Sequence, residues 1–129
     1  MGWSRLFRIL PGGLTAEDGA AAAHALLAVS PRSSAVLAFN DACATGALGT
    51  LFRAGASVPD DISVVGFDDS RAARLPHFNL TTVAQDIPRP AELAVTRLTA
   101  ALEAGEPSTG EDVVAPHLVV RGTTDAPRS

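Results

Sequence analysis

Apolar residues recur along this chain in distinct rhythms, each predicting a different element. Two short, mainly apolar runs, Ala35 to Phe39 and Ser63 to Phe67, end abruptly in the polar pairs Asn40-Asp41 and Asp68-Asp69. Runs of that length, bounded by polar residues, are the pattern of strands buried on both faces of a parallel sheet. The stretch Asp41 to Ala54 between them reads as a helix, followed by Gly55 and the turn Val58-Pro59-Asp60-Asp61. Strand, crossover helix and strand make a right-handed βαβ unit. Asp41 is expected to cap the helix, and Gly55 to close it in the left-handed conformation. Asp69 is expected to cap a short turn through Ser70 to Leu75, which leaves Asp68 free.

The flanks carry their own punctuation. Gly12-Gly13 opens a turn, and Thr15 with Asp18 three positions later has the form of a capping box for a helix from Ala16 to Val29, ended by Ser30-Pro31. A loop through Pro76-His77 precedes a short strand at Thr81 to Val83. A helix then spans Pro90 to Ala104, with proline in its first turn and Gly105 and Pro107 as its stop. The last strand, Val113 to Arg121, is interrupted by Pro116 and so belongs at a sheet edge. Residues 1–10 show no strand or cap signature, and residues 125–129 read as a tail. The pattern predicts an α/β fold with a mostly parallel sheet flanked by helices.

Two of these helices need cover. From Ala42 to Phe52 there is no charged residue, whereas a helix on the outside of a sheet normally keeps one charged face. Cys43, Gly46 and Ala47 are small enough for another helix to approach closely, either from a second copy of the chain or from within the same one. The helix at Pro90 to Ala104 presents Leu93, Ala94, Leu98, Ala101 and Leu102 at helical spacing.

Composition changes the picture mainly by exclusion. A chain of 129 residues suits one compact domain. It has a net charge of -4, no lysine, and ten dispersed arginines, so no basic stripe is available for phosphate contacts and the chain itself is not expected to bind DNA. One cysteine cannot form an internal disulfide, and no apolar run has the length for secretion or membrane spanning, which points to the cytoplasm.

The chemistry concentrates at the strand ends. Open α/β sheets bind ligands just beyond the carboxyl ends of their strands, so Asn40 and Asp68 are expected side by side there. They offer an amide and a carboxylate to a ligand rich in hydroxyl or amino groups. Alone, Asn40 reads equally well as a turn-closing residue, and Gln85 as an ordinary strand-ending polar residue. His24, His77 and His117 have no ligand spacing to one another or to Cys43, so no metal site and no cofactor are expected. Magnesium held by Asp68 and Asp69 in a small phosphoryl-transfer domain is an alternative reading. The glycine-rich loop, lysine and activated nucleophile it requires have no match, and no catalytic residue is assigned.

Several blocks taken together resemble a known family. They are Ala38-Phe39-Asn40-Asp41, then Gly46-Ala47-Leu48, then the unbroken stretch from Val58-Pro59-Asp60-Asp61 through Gly66-Phe67-Asp68-Asp69, and finally Leu80-Thr81-Thr82-Val83-Ala84-Gln85. In order and spacing they look like the effector-binding half of the lactose/galactose repressor (LacI/GalR) family of bacterial transcription regulators. The resemblance implies a partial periplasmic-binding-protein-like (Rossmann-like) lobe, with residues 11–124 as the C-terminal part of the sensor domain. It implies that Asn40, Asp68 and Gln85 hydrogen-bond a small-molecule effector, commonly a sugar, polyol or nucleobase-like molecule. Leu14 stands where members often present an aromatic ring to it. It further implies a homodimer formed through this lobe, with Cys43, Gly46 and Ala47 at the interface. DNA would be reached only through an N-terminal helix-turn-helix absent here, along with the first lobe on which the helix at Pro90 to Ala104 normally packs. A periplasmic-type sugar-binding protein without transcriptional output is the alternative within the same fold.

Overall fold

A computed structural model describes residues 7–29 and 33–127. The elements are α1 (Ala16–Leu27), β1 (Ala35–Leu37), α2 (Asp41–Arg53), β2 (Ser63–Phe67), β3 (Thr81–Ala84), α3 (Pro88–Ala104) and β4 (His117–Val119). The strands form one sheet in the order β1-β2-β3-β4. β1 and β2 pair in parallel, as do β2 and β3, while β4 runs antiparallel along the outer edge of β3. The α/β class, the βαβ unit and the edge position of the last strand match the sequence reading. The expected stop of α1 at Ser30-Pro31 lies outside the described residues.

Local chemistry sets the ends of these elements. The Thr15 side chain accepts from the Asp18 backbone N–H, and the Asp18 carboxylate accepts from the Thr15 N–H, which is a complete capping box. The Thr15 N–H and the Thr15 hydroxyl, both donating to the Asp18 carboxylate, hold that carboxyl below its ordinary range. At the start of α2 the sequence reading was off by one residue. The N-cap is Asn40, in extended geometry, with its Oδ1 accepting from the Cys43 N–H at 2.8 Å. Asp41 is the first helical residue, and its carboxylate turns into the core instead. Gly55 follows the helix at φ +77°, the left-handed position expected of it.

The core lies between α2 and the sheet, where Ala44, Leu48, Leu51, Val64, Ala73 and Leu80 are buried together. Each such leucine contributes about 1.5–3 kcal/mol by leaving water. The far side of α2 is covered by α1. A Cβ on Gly19 would overlap the Cys43 carbonyl, and one on Gly46 would overlap the Ala16 carbonyl, so the two helices touch backbone to backbone. The close approach expected at Cys43, Gly46 and Ala47 is therefore made by α1 of the same chain. That corrects the assignment of these three residues to contact with a second copy. Outward, α2 turns the uncharged Ala42, Thr45, Gly49 and Phe52, with the exposed Arg53 guanidinium beside Gly49.

α3 is different. None of its residues is buried, and Leu98 and Leu102 stand open to solvent. Its inward line is Leu93, Arg97 and Ala101. Arg97 bonds the carbonyls of Thr109 and Gly110 and pairs with Asp112 at 2.7 Å, tying the helix to the segment that leads into β4.

Candidate functional site

The register of the sheet brings three polar residues to one edge. Leu37 lies level with Val65 and Phe67 with Val83. Asn40, Asp68 and Gln85 therefore emerge within a few residues of one another beyond the carboxyl ends of β1, β2 and β3. Asn40 does double duty: besides capping α2, its Nδ2 donates to the Leu14 carbonyl at 3.0 Å. Leu14 contributes that carbonyl, while its side chain is 62% exposed.

Asp68 has φ +117°, a backbone region that non-glycine residues rarely occupy and that recurs at ligand sites. Its N–H donates to the Val83 carbonyl at 2.9 Å, and its Oδ1 accepts from Gln85 Nε2 at 3.2 Å. Asp68 and Gln85 are thus brought together directly. Asn40 joins them through the topology and not through a bond.

Asp69 does not cap the following turn. Its oxygens are taken by Arg121 at 2.6 Å and Arg74 at 2.7 Å. Burial alone would raise its pKa, but the hydrogen bonds and charges of the two arginines outweigh burial and hold the carboxyl below its usual range. Asp69 is thus committed to arginines, which removes it as a partner of Asp68 for a magnesium ion. The capping role passes to Ser70, whose Oγ accepts from the Ala73 N–H, and residues 71–74 form a turn and not a helix.

The residues that sequence reasoning missed are those beneath the site. Asp41, 1% exposed, accepts from the Thr82 hydroxyl and from the Ser70 N–H, both at 2.6 Å. Arg121 reaches back from just beyond β4 to Asp69 and to the Leu80 carbonyl. Adjacent threonines in a short strand and a single arginine after the last strand are signals too common to have singled them out.

Beside Gln85 lies a shallow, mainly apolar hollow of about 300 Å³, bounded by Phe67, Ile87, Pro90, Val114 and Pro116. Cys43 is buried with its Sγ on the Gly13 carbonyl, and burial, followed by the charge of Asp18, pushes the thiol up. Among the described residues no group of His, Cys, Asp and Glu has the arrangement of a metal site, and no helix is long and apolar enough to cross a membrane.

Residues 7–124 match the model of the periplasmic binding protein-like domain. The HTH-type transcriptional regulator MalR of Streptomyces coelicolor is 39% identical over 110 residues, which is 85% of this chain and 31% of the regulator. The crystal structure of a LacI transcriptional regulator from a Rhodococcus species superposes with a TM-score of 0.79 at 50% identity, over 88% of this chain and 41% of that one. A LacI family regulator from Arthrobacter sp. FB24, solved in complex with lactose, gives a TM-score of 0.79 at 32% identity, over 88% and 43% of the two chains. The chain thus spans about a third of the length of the curated relative it matches.

Proposed function

The chain belongs to the periplasmic binding protein-like domain family, among the LacI-type transcriptional regulators, and from that premise we propose that it forms the C-terminal part of an effector-binding domain that recognises a neutral sugar or polyol. The relatives named above are regulators, not enzymes. One observation carries the reading of the ligand: Asp68 and Gln85 are hydrogen-bonded to each other at the strand-end edge. A carboxylate accepts hydroxyl donors strongly and repels anions, while a neighbouring amide both donates and accepts. The Arthrobacter protein, similar over the same stretch, holds lactose. DNA contact under this reading belongs to sequence beyond this stretch, since the ten arginines here form no stripe.

Calorimetry against neutral sugars, lactose included, and against sugar phosphates tests the reading. Neutral sugars should bind, and Asp68→Ala should weaken them roughly 10- to 100-fold, the worth of a hydrogen bond to a charged group. Preferential binding of phosphates that is indifferent to Asp68→Ala would refute it.

A homodimer is the second element of the proposal, supported by the outward-facing uncharged residues Ala42, Thr45, Gly49 and Phe52 of α2, which are bordered by the Arg53 guanidinium beside Gly49. A Cβ on Gly49 meets only the flexible end of Arg53, so Gly49→Arg can be made without disturbing the core. Sedimentation should show association in the parent chain and its loss in the variant.

A further inference from the structure

The three residues of the proposed effector site sit on three separate strand ends, so something must set the distances between them. The loop that carries Asp68 is also in an unfavourable conformation, with Asp68 at φ +117° and Asp69 at φ +49°. Such a conformation persists only where its surroundings over-determine it.

Asp41 is placed to do this. It follows Asn40 directly, at the first position of α2, so it moves with the Asn40 arm. One carboxylate oxygen accepts from the Ser70 N–H at 2.6 Å, which pins the far end of the Asp68 loop. The other accepts from the Thr82 hydroxyl at 2.6 Å, on the strand that leads to Gln85. The Thr82 oxygen in turn faces the Asp69 N–H at 3.4 Å. The space for this buried carboxylate comes from Gly66 in β2, where a Cβ would overlap Asp41 Oδ1. A carboxylate at a helix N-terminus is also favoured by the unpaired N–H groups there.

We propose that Asp41 is a positioning residue for the effector site: it never reaches the ligand, and its carboxylate locks the Asn40, Asp68 and Gln85 arms into one geometry. The inference rests on the reading of those three residues as the effector site. It predicts a local effect that mere loss of stability does not give. Asparagine at position 41 keeps one acceptor oxygen, so in this geometry either the Ser70 N–H or the Thr82 hydroxyl faces an amide NH2 in place of a carboxylate oxygen, and the charge that strengthens both bonds is gone.

The test is native-state amide exchange followed by NMR on the whole chain, with lactose titration alongside. Asp41→Asn should speed exchange at Ser70 and Asp69 roughly 10- to 100-fold, as expected for a lost bond to a charged acceptor, while the core amides of Leu48 and Val64 hold their rates. Thr82→Val removes one tie and keeps the branched shape, and it should loosen the same loop. Thr82→Ser restores the hydroxyl and should recover the parent rates; should Asp41→Asn fail to fold, the Ser70 amide, which bonds Asp41 and not Thr82, is the one whose rate decides. Exchange that rises equally in loop and core, or a Thr82→Ser chain no better than Thr82→Val, overturns the proposal. If the parent chain binds neither lactose nor any other sugar of the panel, the effector reading fails, and the exchange pattern still judges the positioning role. Where lactose does bind, Asp41→Asn should weaken it about tenfold or more.

Discussion

α2 and α3 are helices of 13 and 17 residues, and both carry apolar residues at helical spacing. Seven residues of α2 are buried and none of α3. The contrast comes from partners and not from composition. α2 lies between the sheet and α1, and its small residues let α1 approach until backbone meets backbone at Gly19 and Gly46. α3 leaves the sheet after β3 and is held chiefly through Arg97, with Val95, Leu98 and Leu102 facing water. Apolar stripes of that kind are uncommon on exposed surfaces and favour contact with another surface. The same periodicity thus predicts a helix in both places and burial in only one.

The largest effect should come from cutting into the covered helix. Leu48→Ala removes a side chain with no exposed surface and should destabilise the chain by about 2–5 kcal/mol in urea unfolding. Leu98→Ala is the matched control on α3 and should shift stability by no more than about 0.5 kcal/mol. Equal losses for the two would break the comparison, because they would mean that α3 is covered in solution.

Next is the helix contact itself. Gly19→Ala places a methyl against the Cys43 carbonyl and should cost about 1–3 kcal/mol as α1 is pushed away. The same shift should expose Cys43, whose buried, poorly ionised thiol is expected to react slowly with maleimide in the parent chain. Faster labelling of the variant under native conditions would sharpen the picture of α1 as the lid on α2.

The ion pairs of Asp69 and of Arg97 divide in the same way. Asp69, held between Arg121 and Arg74, has a folded pKa below the ordinary 3.8. Its contribution is therefore present above that value in the unfolded chain, and is lost as pH falls below about 4 towards the lower folded value, because the unfolded state takes up the proton first. Arg121→Met should flatten this acid loss in urea unfolding at stepped pH, and should lower stability near neutrality by about 1–3 kcal/mol.

The smallest effect is expected for the ion pair that joins α3 to Asp112. Arg97 and Asp112 are each more than a third exposed, so Arg97→Met should lower stability by no more than about 1 kcal/mol. Its visible consequence should be faster exchange in residues 105–116, which Arg97 ties to the helix.

Much of this protein can be read directly from its residues. The apolar runs at residues 35–39 and 64–67 mark the parallel strands β1 and β2, although β1 lies at the sheet edge and both Leu37 and Phe39 are exposed. Thr15 with Asp18, and Gly55 after α2, mark helix ends because the orphaned backbone groups there need those residue types. Asn40 and Asp68 could be gathered to one edge from the carboxyl-end rule alone, whereas Gln85 joins them only through the family resemblance.

What the sequence could not decide is how neighbours in space divide the work. Whether Asn40 or Asp41 caps α2 depends on which side chain has a buried partner elsewhere. Thr82 and Ser70, distant in sequence, claim Asp41 and leave the cap to Asn40. Asp69 turns from cap to ion-pair partner because Arg121, 52 positions away, is folded back beside it. Cys43, Gly46 and Ala47 mark a close helix contact in any reading, yet only the tertiary structure shows that α1 of the same chain makes it. Periodicity and capping are local properties of the chain, whereas the partner of a buried carboxylate or a small-residue face is set by the packing of segments far apart in sequence.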